Sequence, residues 1–95
     1  MAESNPTVTL TNPTSNSNNT LSNGSFTFQG NCGFVNGVSV TLTRSGGGDN
    51  NGSATLNANT WSCTLNNITA ASGYSIRVSG SPGGSAVAQN VTFSS

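Results

Sequence analysis

Asn59-Thr60-Trp61-Ser62-Cys63-Thr64-Leu65 and, further along, Gly73-Tyr74-Ser75-Ile76-Arg77-Val78 decide how this chain folds. From Trp61 and from Tyr74 onward, every second residue is apolar, aromatic or a cysteine, and the residues between are hydroxylic or charged. A period of two marks a strand with one face buried, whereas a helix would repeat its apolar residues every three or four. The same alternation extends outward in both directions. Phe26 and Phe28 show it, as do Val38, Val40 and Leu42, and Val8 and Leu10 near the start. Ala54 and Leu56 supply a further short strand. Val87, Val91 and Phe93 are read as one inward face, with Gln89 as its one polar interruption. That makes about seven strands, the number in a constant-type immunoglobulin sandwich.

The segments between these runs are rich in residues that reach positive φ at little cost. Asn23-Gly24 and Asn36-Gly37 precede strands, residues 46–52 read as a loop, and residues 81–85 read as a hairpin turn. Residues 12–19 read as a polar loop after the first strand. The nearest approach to a helix is Ile68 to Ser72, one turn at most. The expectation is a single all-β domain over residues 1–95, an antiparallel immunoglobulin-like sandwich.

Composition excludes several functions. Among 95 residues only Glu3, Arg44, Asp49 and Arg77 are charged, and there is no Lys or His. An ordinary domain is about one quarter charged. Solubility falls instead to 15 Asn and 29 Ser plus Thr. Two arginines cannot neutralise a run of phosphates, so no nucleic-acid partner is expected. No apolar run approaches the roughly 20 residues that span a bilayer, so no membrane insertion is expected. Catalysis needs a tuned proton acceptor beside a nucleophile, and no serine here has such a neighbour in the sequence. Two cysteines without histidine or clustered acids cannot complete a metal shell. Asp49-Asn50-Asn51-Gly52 lacks the spaced acids of a calcium loop and reads as a turn. Neither metal, cofactor nor catalytic site is expected.

Cys32 shares the inward phase of Phe26 and Phe28, and Cys63 lies between inward Trp61 and Leu65. The expectation is a disulfide across the core, with two buried thiols as the alternative. Closing that loop of about 32 residues would stabilise the fold by about 3–4 kcal/mol and would indicate an oxidising, extracellular setting.

The Trp61 and Tyr74 strands, with Phe28-Gln29-Gly30 and Val38-Ser39-Val40-Thr41-Leu42 before them, resemble the bacterial Ig-like repeats of biofilm-type adhesins. There a Gly-Thr-Trp strand precedes a Gly-Thr-Tyr strand. Repeats of this family are stalk modules of surface adhesins, and similar domains decorate phage capsids and tails. This chain differs in comprising one repeat, in carrying cysteines, and in lacking the acids that usually bind calcium between repeats. The resemblance, together with a Met1 start that no basic and apolar leader follows, favours a virion-surface decoration domain bound in many copies to a capsid or tail protein. The alternative is a stalk or adhesion module on a bacterial cell surface or in the extracellular medium. A host-surface glycan is a further candidate partner. Trp61 and Tyr74 fall in the inward phase and read as core. Phe34, in the turn Gly33-Phe34-Val35, is the aromatic able to reach a partner. Edge strands accept another chain. The candidate contact residues are therefore Met1, Ala2, Glu3, Thr7, Thr9 and Thr11, with Phe34 and the strand Ala86–Phe93 beside them.

Overall fold

The computed structural model describes residues 5–44, 50–81 and 83–95. Nine strands form: β1 (Thr7–Val8), β2 (Asn18–Thr20), β3 (Phe26–Gly33), β4 (Gly37–Arg44), β5 (Asn50–Ser53), β6 (Thr55–Asn57), β7 (Thr60–Leu65), β8 (Ala71–Ser81) and β9 (Ser85–Ser94). They make two sheets, one ordered β1-β3-β7-β6 and the other β2-β9-β8-β4-β5. There is no helix among the described residues; Ile68 is instead a buried anchor, and Ala71 already belongs to β8.

The inner faces are the apolar phases read from the sequence. Phe28, Cys32, Trp61, Cys63 and Leu65 come from one sheet; Val38, Val40, Leu42, Ile76, Val78 and Val91 come from the other. At one end Phe26, Phe28, Tyr74 and Phe93 meet edge to face, with ring centroids 5.0–6.1 Å apart. That arrangement suits the ring quadrupoles better than face-to-face stacking.

Seven expected strands become nine because two segments expected as loops end in strands, β2 and β5. The first run enters as β1 against β3, passes the cis Asn12–Pro13 peptide, and continues as β2, parallel to β9. The expected polar loop at 12–19 therefore ends in a strand. Backbone bonds hold it, such as Thr92 N–H donating to Ser17 O at 2.9 Å. Main-chain pairing needs no apolar side chain, so periodicity could not reveal it. The loop and turn expected up to Gly52 give way likewise: Asn50–Ser53 is β5, paired with β4, and the Ala54–Leu56 run supplies only β6, paired with β7.

Two expectations about β9 are corrected. Val87 is not inward but 50% exposed, and the buried positions are Ala88, Val91 and Phe93. Between the pairs Ile76↔Ala88 and Tyr74↔Val91, two residues of β9 oppose Ser75 alone. This is a β-bulge, with Asn90 at φ 57°. One extra residue reverses the phase of everything before it. Nor is β9 an edge strand at its C-terminal end, where β2 pairs with Thr92–Ser94.

The expected disulfide is absent, and both thiols are free and buried. β3 and β7 are neighbours in one sheet. Cys63 stands opposite Phe28, while Cys32 accepts its place beside Asn59, donating its N–H to Asn59 O. The two cysteines share a face but are four positions out of register. At 3.2–3.4 Å per residue this is about 13 Å, well beyond the roughly 7 Å limit between bridged Cα atoms.

Candidate functional site

The outward phase of the four-stranded sheet is wholly uncharged among its described residues. Thr7, Thr9 and Thr11 project from the first strand and its continuation, and Thr27, Gln29 and Asn31 from β3. Thr60, Ser62 and Thr64 project from β7, and Thr55 and Asn57 from β6. Strand register sorts these into ranks, for example Asn31 beside Thr60 and Thr60 beside Asn57. Several hydroxyls are held by the backbone. Thr11 Oγ1 donates to Gln29 O at 3.1 Å, and Thr60 Oγ1 donates to Asn57 O at 2.8 Å. Thr27 and Thr64 share a hydrogen bond of 2.9 Å.

Two shallow grooves lie along this face, with Asn31 lining both. One, of about 440 Å³, is lined by Thr7, Thr9, Asn31, Gly33, Phe34 and Asn59, with Cys32 at its floor. The other, of about 420 Å³, runs past Thr11, Gln29, Asn31, Asn57, Thr60 and Ser62. The first brings together three candidates read from the sequence, Thr7, Thr9 and Phe34. Thr11 lies in the second. Met1, Ala2 and Glu3 lie outside the described residues. Asn31 and Asn57 lie in the outward phase, next to inward Cys32 and Leu56, whereas Asn59 shares the parity of inward Trp61 and is exposed because it lies in the turn before β7.

Phe34 is 68% exposed and has φ 56°. That backbone region favours glycine or asparagine, so neither local conformation nor packing accounts for a phenylalanine there.

Beneath the face, Trp61 fixes the first strand to the sheet. Its indole N–H donates to Thr9 O at 2.9 Å, passing over Gly30. A Cβ on Gly30 would lie 1.9 Å from Thr9 O and 2.5 Å from the indole nitrogen. This explains the glycine of Phe28-Gln29-Gly30. Cys63 lies below the same sheet, where burial pushes its thiol pKa above the ordinary value. Among the described residues no three His, Cys, Asp or Glu side chains gather in a metal-binding group.

On the other sheet, Tyr74 O–H donates to Thr69 O, five residues upstream, at 2.7 Å, and accepts from Arg44 Nε at 3.2 Å. A tyrosine near the start of the sixth major strand that bonds back to the preceding corner is a hallmark of immunoglobulin domains. The sheet orders agree with it: β1-β3-β7-β6 repeats the order A-B-E-D, and β9-β8-β4 repeats G-F-C. The fold is immunoglobulin-like. In such domains the inter-sheet disulfide uses the position two residues after this tyrosine, here Ile76, which is buried in the core.

No family model matches the sequence, and no curated protein matches it. Solved structures are similar in fold. The titin M3 domain superposes with a TM-score of 0.52 at 12% identity, covering 98% of this chain and 100% of that one. An engineered protein gives a TM-score of 0.70 at 16% identity, covering 96% of this chain. The present chain spans 20% of that protein's length.

Proposed function

We propose that this chain is a non-enzymatic display domain, an Ig-like decoration or accessory module on the surface of a phage particle. It docks there in many copies to a capsid or tail protein, with β1 at the sheet edge as the attachment strand. The outer face of the four-stranded sheet carries this reading. It is exposed, uncharged and ends in an unburied aromatic, so it is suited to meeting a partner rather than transforming one. A surface of amides and hydroxyls also keeps its contacts nearly independent of salt, which suits an exposed particle.

A second reading, an Ig-like stalk or adhesion module of a bacterial extracellular surface protein, is favoured by one observation. β1 begins beside Gly33 and the hairpin at Gly84, whereas β9 ends beside Thr20 and Ala71, toward the opposite pole of a 48 × 21 × 20 Å body. Entry and exit at opposite ends suit modules strung in a line.

An antibody to the domain, applied to CsCl-banded particles and to cell-envelope fractions of the source culture, separates the two. Decoration requires the domain in the particle band at many copies per particle. Recovery only in the envelope overturns it in favour of the stalk.

A further inference from the structure

We infer that the outer face of the β1-β3-β7-β6 sheet is a binding site for a neutral oligosaccharide, with Phe34 as its stacking platform and Asn31 at its centre. The inference goes beyond display as such, and holds whether the domain sits on a particle or a cell.

Three independent features converge on this ligand. The first is charge. Neither groove has a charged residue in its lining, and the described arginines, Arg44 and Arg77, belong to the opposite sheet. A phosphate, a sulfated chain or an acidic peptide would find no counter-charge here. The second is the kind of hydrogen-bonding group presented. Among the described residues, the side-chain amides of Gln29, Asn31, Asn57 and Asn59 bond to no other protein group, while the hydroxyls of Thr9, Thr11 and Thr60 are oriented by backbone carbonyls. Each free amide both donates and accepts. A sugar hydroxyl does the same, so a row of such amides on a fixed sheet matches a row of hydroxyls. The third is Phe34. It holds a left-handed backbone conformation at φ 56° and leaves its ring 68% exposed. Strain of that kind, without a packing reward, is a pointer to function. A planar apolar ring beside the amides of Asn31 and Asn59 matches the C–H face of a pyranose, whose edges the amides would then read.

The two grooves share Asn31 and cross strands spaced about 4.8 Å apart, giving room for a short chain of sugars rather than one. Attachment through the edge of β1 would leave this face open, since the edge lies in the plane of the sheet and the face stands perpendicular to it.

The test uses the purified chain and ¹⁵N-HSQC titration with neutral oligosaccharides (maltohexaose, cellohexaose, laminarihexaose, mannohexaose and chitohexaose) and with heparin hexasaccharide. At least one neutral probe is expected to shift the amides of Asn31, Gly33, Phe34 and Asn59. The affinity should be unchanged between low and high salt. Phe34→Ala should weaken that binding about tenfold, the size of a lost aromatic contact. Asn31→Ala should weaken it as well, and Val87→Ala, on the other sheet, should not. Phe34→Gly separates binding from folding: it relieves the backbone, so the melting temperature should rise while binding is lost. No shift with any neutral probe overturns the inference. So does binding of heparin alone, or a shift map centred on Arg44 or Arg77. Particle association is read in a separate experiment, so either proposal can fail without the other.

Discussion

Gly30→Ala tests the joint that holds the first strand to the sheet. The added methyl would sit 1.9 Å from Thr9 O, 2.5 Å from Trp61 Nε1 and 2.7 Å from Trp61 Cε2. None of these atoms yields easily, because one is main chain and the others belong to a ring only 1% exposed. Either the ring turns or the first strand swings out, and both break the 2.9 Å indole bond to Thr9 O. Swinging out also strains the bonds from Thr9 N–H to Asn31 O and from Thr11 N–H to Gln29 O. Forcing a methyl into a packed core costs about 1–3 kcal/mol. Leaving a buried N–H unpaired costs about 1–3 kcal/mol more. Restricting the unfolded chain returns about 0.4–1 kcal/mol. The expected net loss is about 3 kcal/mol, a large share of the 5–15 kcal/mol that holds a domain together. At about 4–8 °C per kcal/mol the melting temperature should fall by about 12–24 °C. Trp61 is the sole tryptophan and is buried, so its emission reports unfolding directly in a urea titration. A double-mutant cycle with Trp61→Phe, followed by circular dichroism, should show the Gly30→Ala cost shrinking once the indole N–H is gone. A Gly30→Ala variant within about 0.5 kcal/mol of the parent would refute the steric argument, since that is the ordinary effect of a surface substitution.

Other outcomes follow from the same structure. Gly37→Ala, where an added Cβ meets nothing within 4 Å, should stabilise by about 0.4–1 kcal/mol in the same urea titration. Tyr74→Phe removes the bonds to Thr69 O and Arg44 and should cost about 1–2 kcal/mol, measured by thermal melting. Val87→Thr should change stability by less than about 0.5 kcal/mol, whereas Val91→Ala on the inner face should cost at least about 2 kcal/mol. Intact mass should be the same with and without reductant, and both thiols should resist a disulfide reagent until the protein unfolds. Because burial raises the Cys63 pKa, the unfolded chain releases its thiol proton first as pH rises. Stability should therefore decline above the ordinary thiol range, near pH 8.5, and Cys63→Ala should flatten that decline in urea midpoints measured across pH.

The sheet face was legible in the sequence wherever a strand kept its phase. Alternation around Trp61, Tyr74, Phe28 and Val40 fixed which side chains go inward, and therefore which amides and hydroxyls go outward. Phe34 stood apart for the same reason, lying in a glycine-flanked turn beyond the end of a strand. Asn31, Asn57 and Asn59 were harder to single out. Alternation marks Asn31 and Asn57 as exposed, but only the pairing of β7 with β3 and β6 sets them in one row, and only the turn before β7 brings out Asn59, which shares Trp61's parity.

By itself, then, the sequence determined the all-β class, the inward and outward faces of most strands, and a surface almost without charge. These are local properties, set by a side-chain period of two and by composition. Tertiary structure decided what depends on partners distant in the chain. A bulge at Gln89–Asn90 turned Val87 outward, and backbone pairing with β9 made a strand of Asn18–Thr20. The register of β3 against β7 held Cys32 and Cys63 four positions apart. Parity says that two cysteines face the same core; only register says whether they can meet.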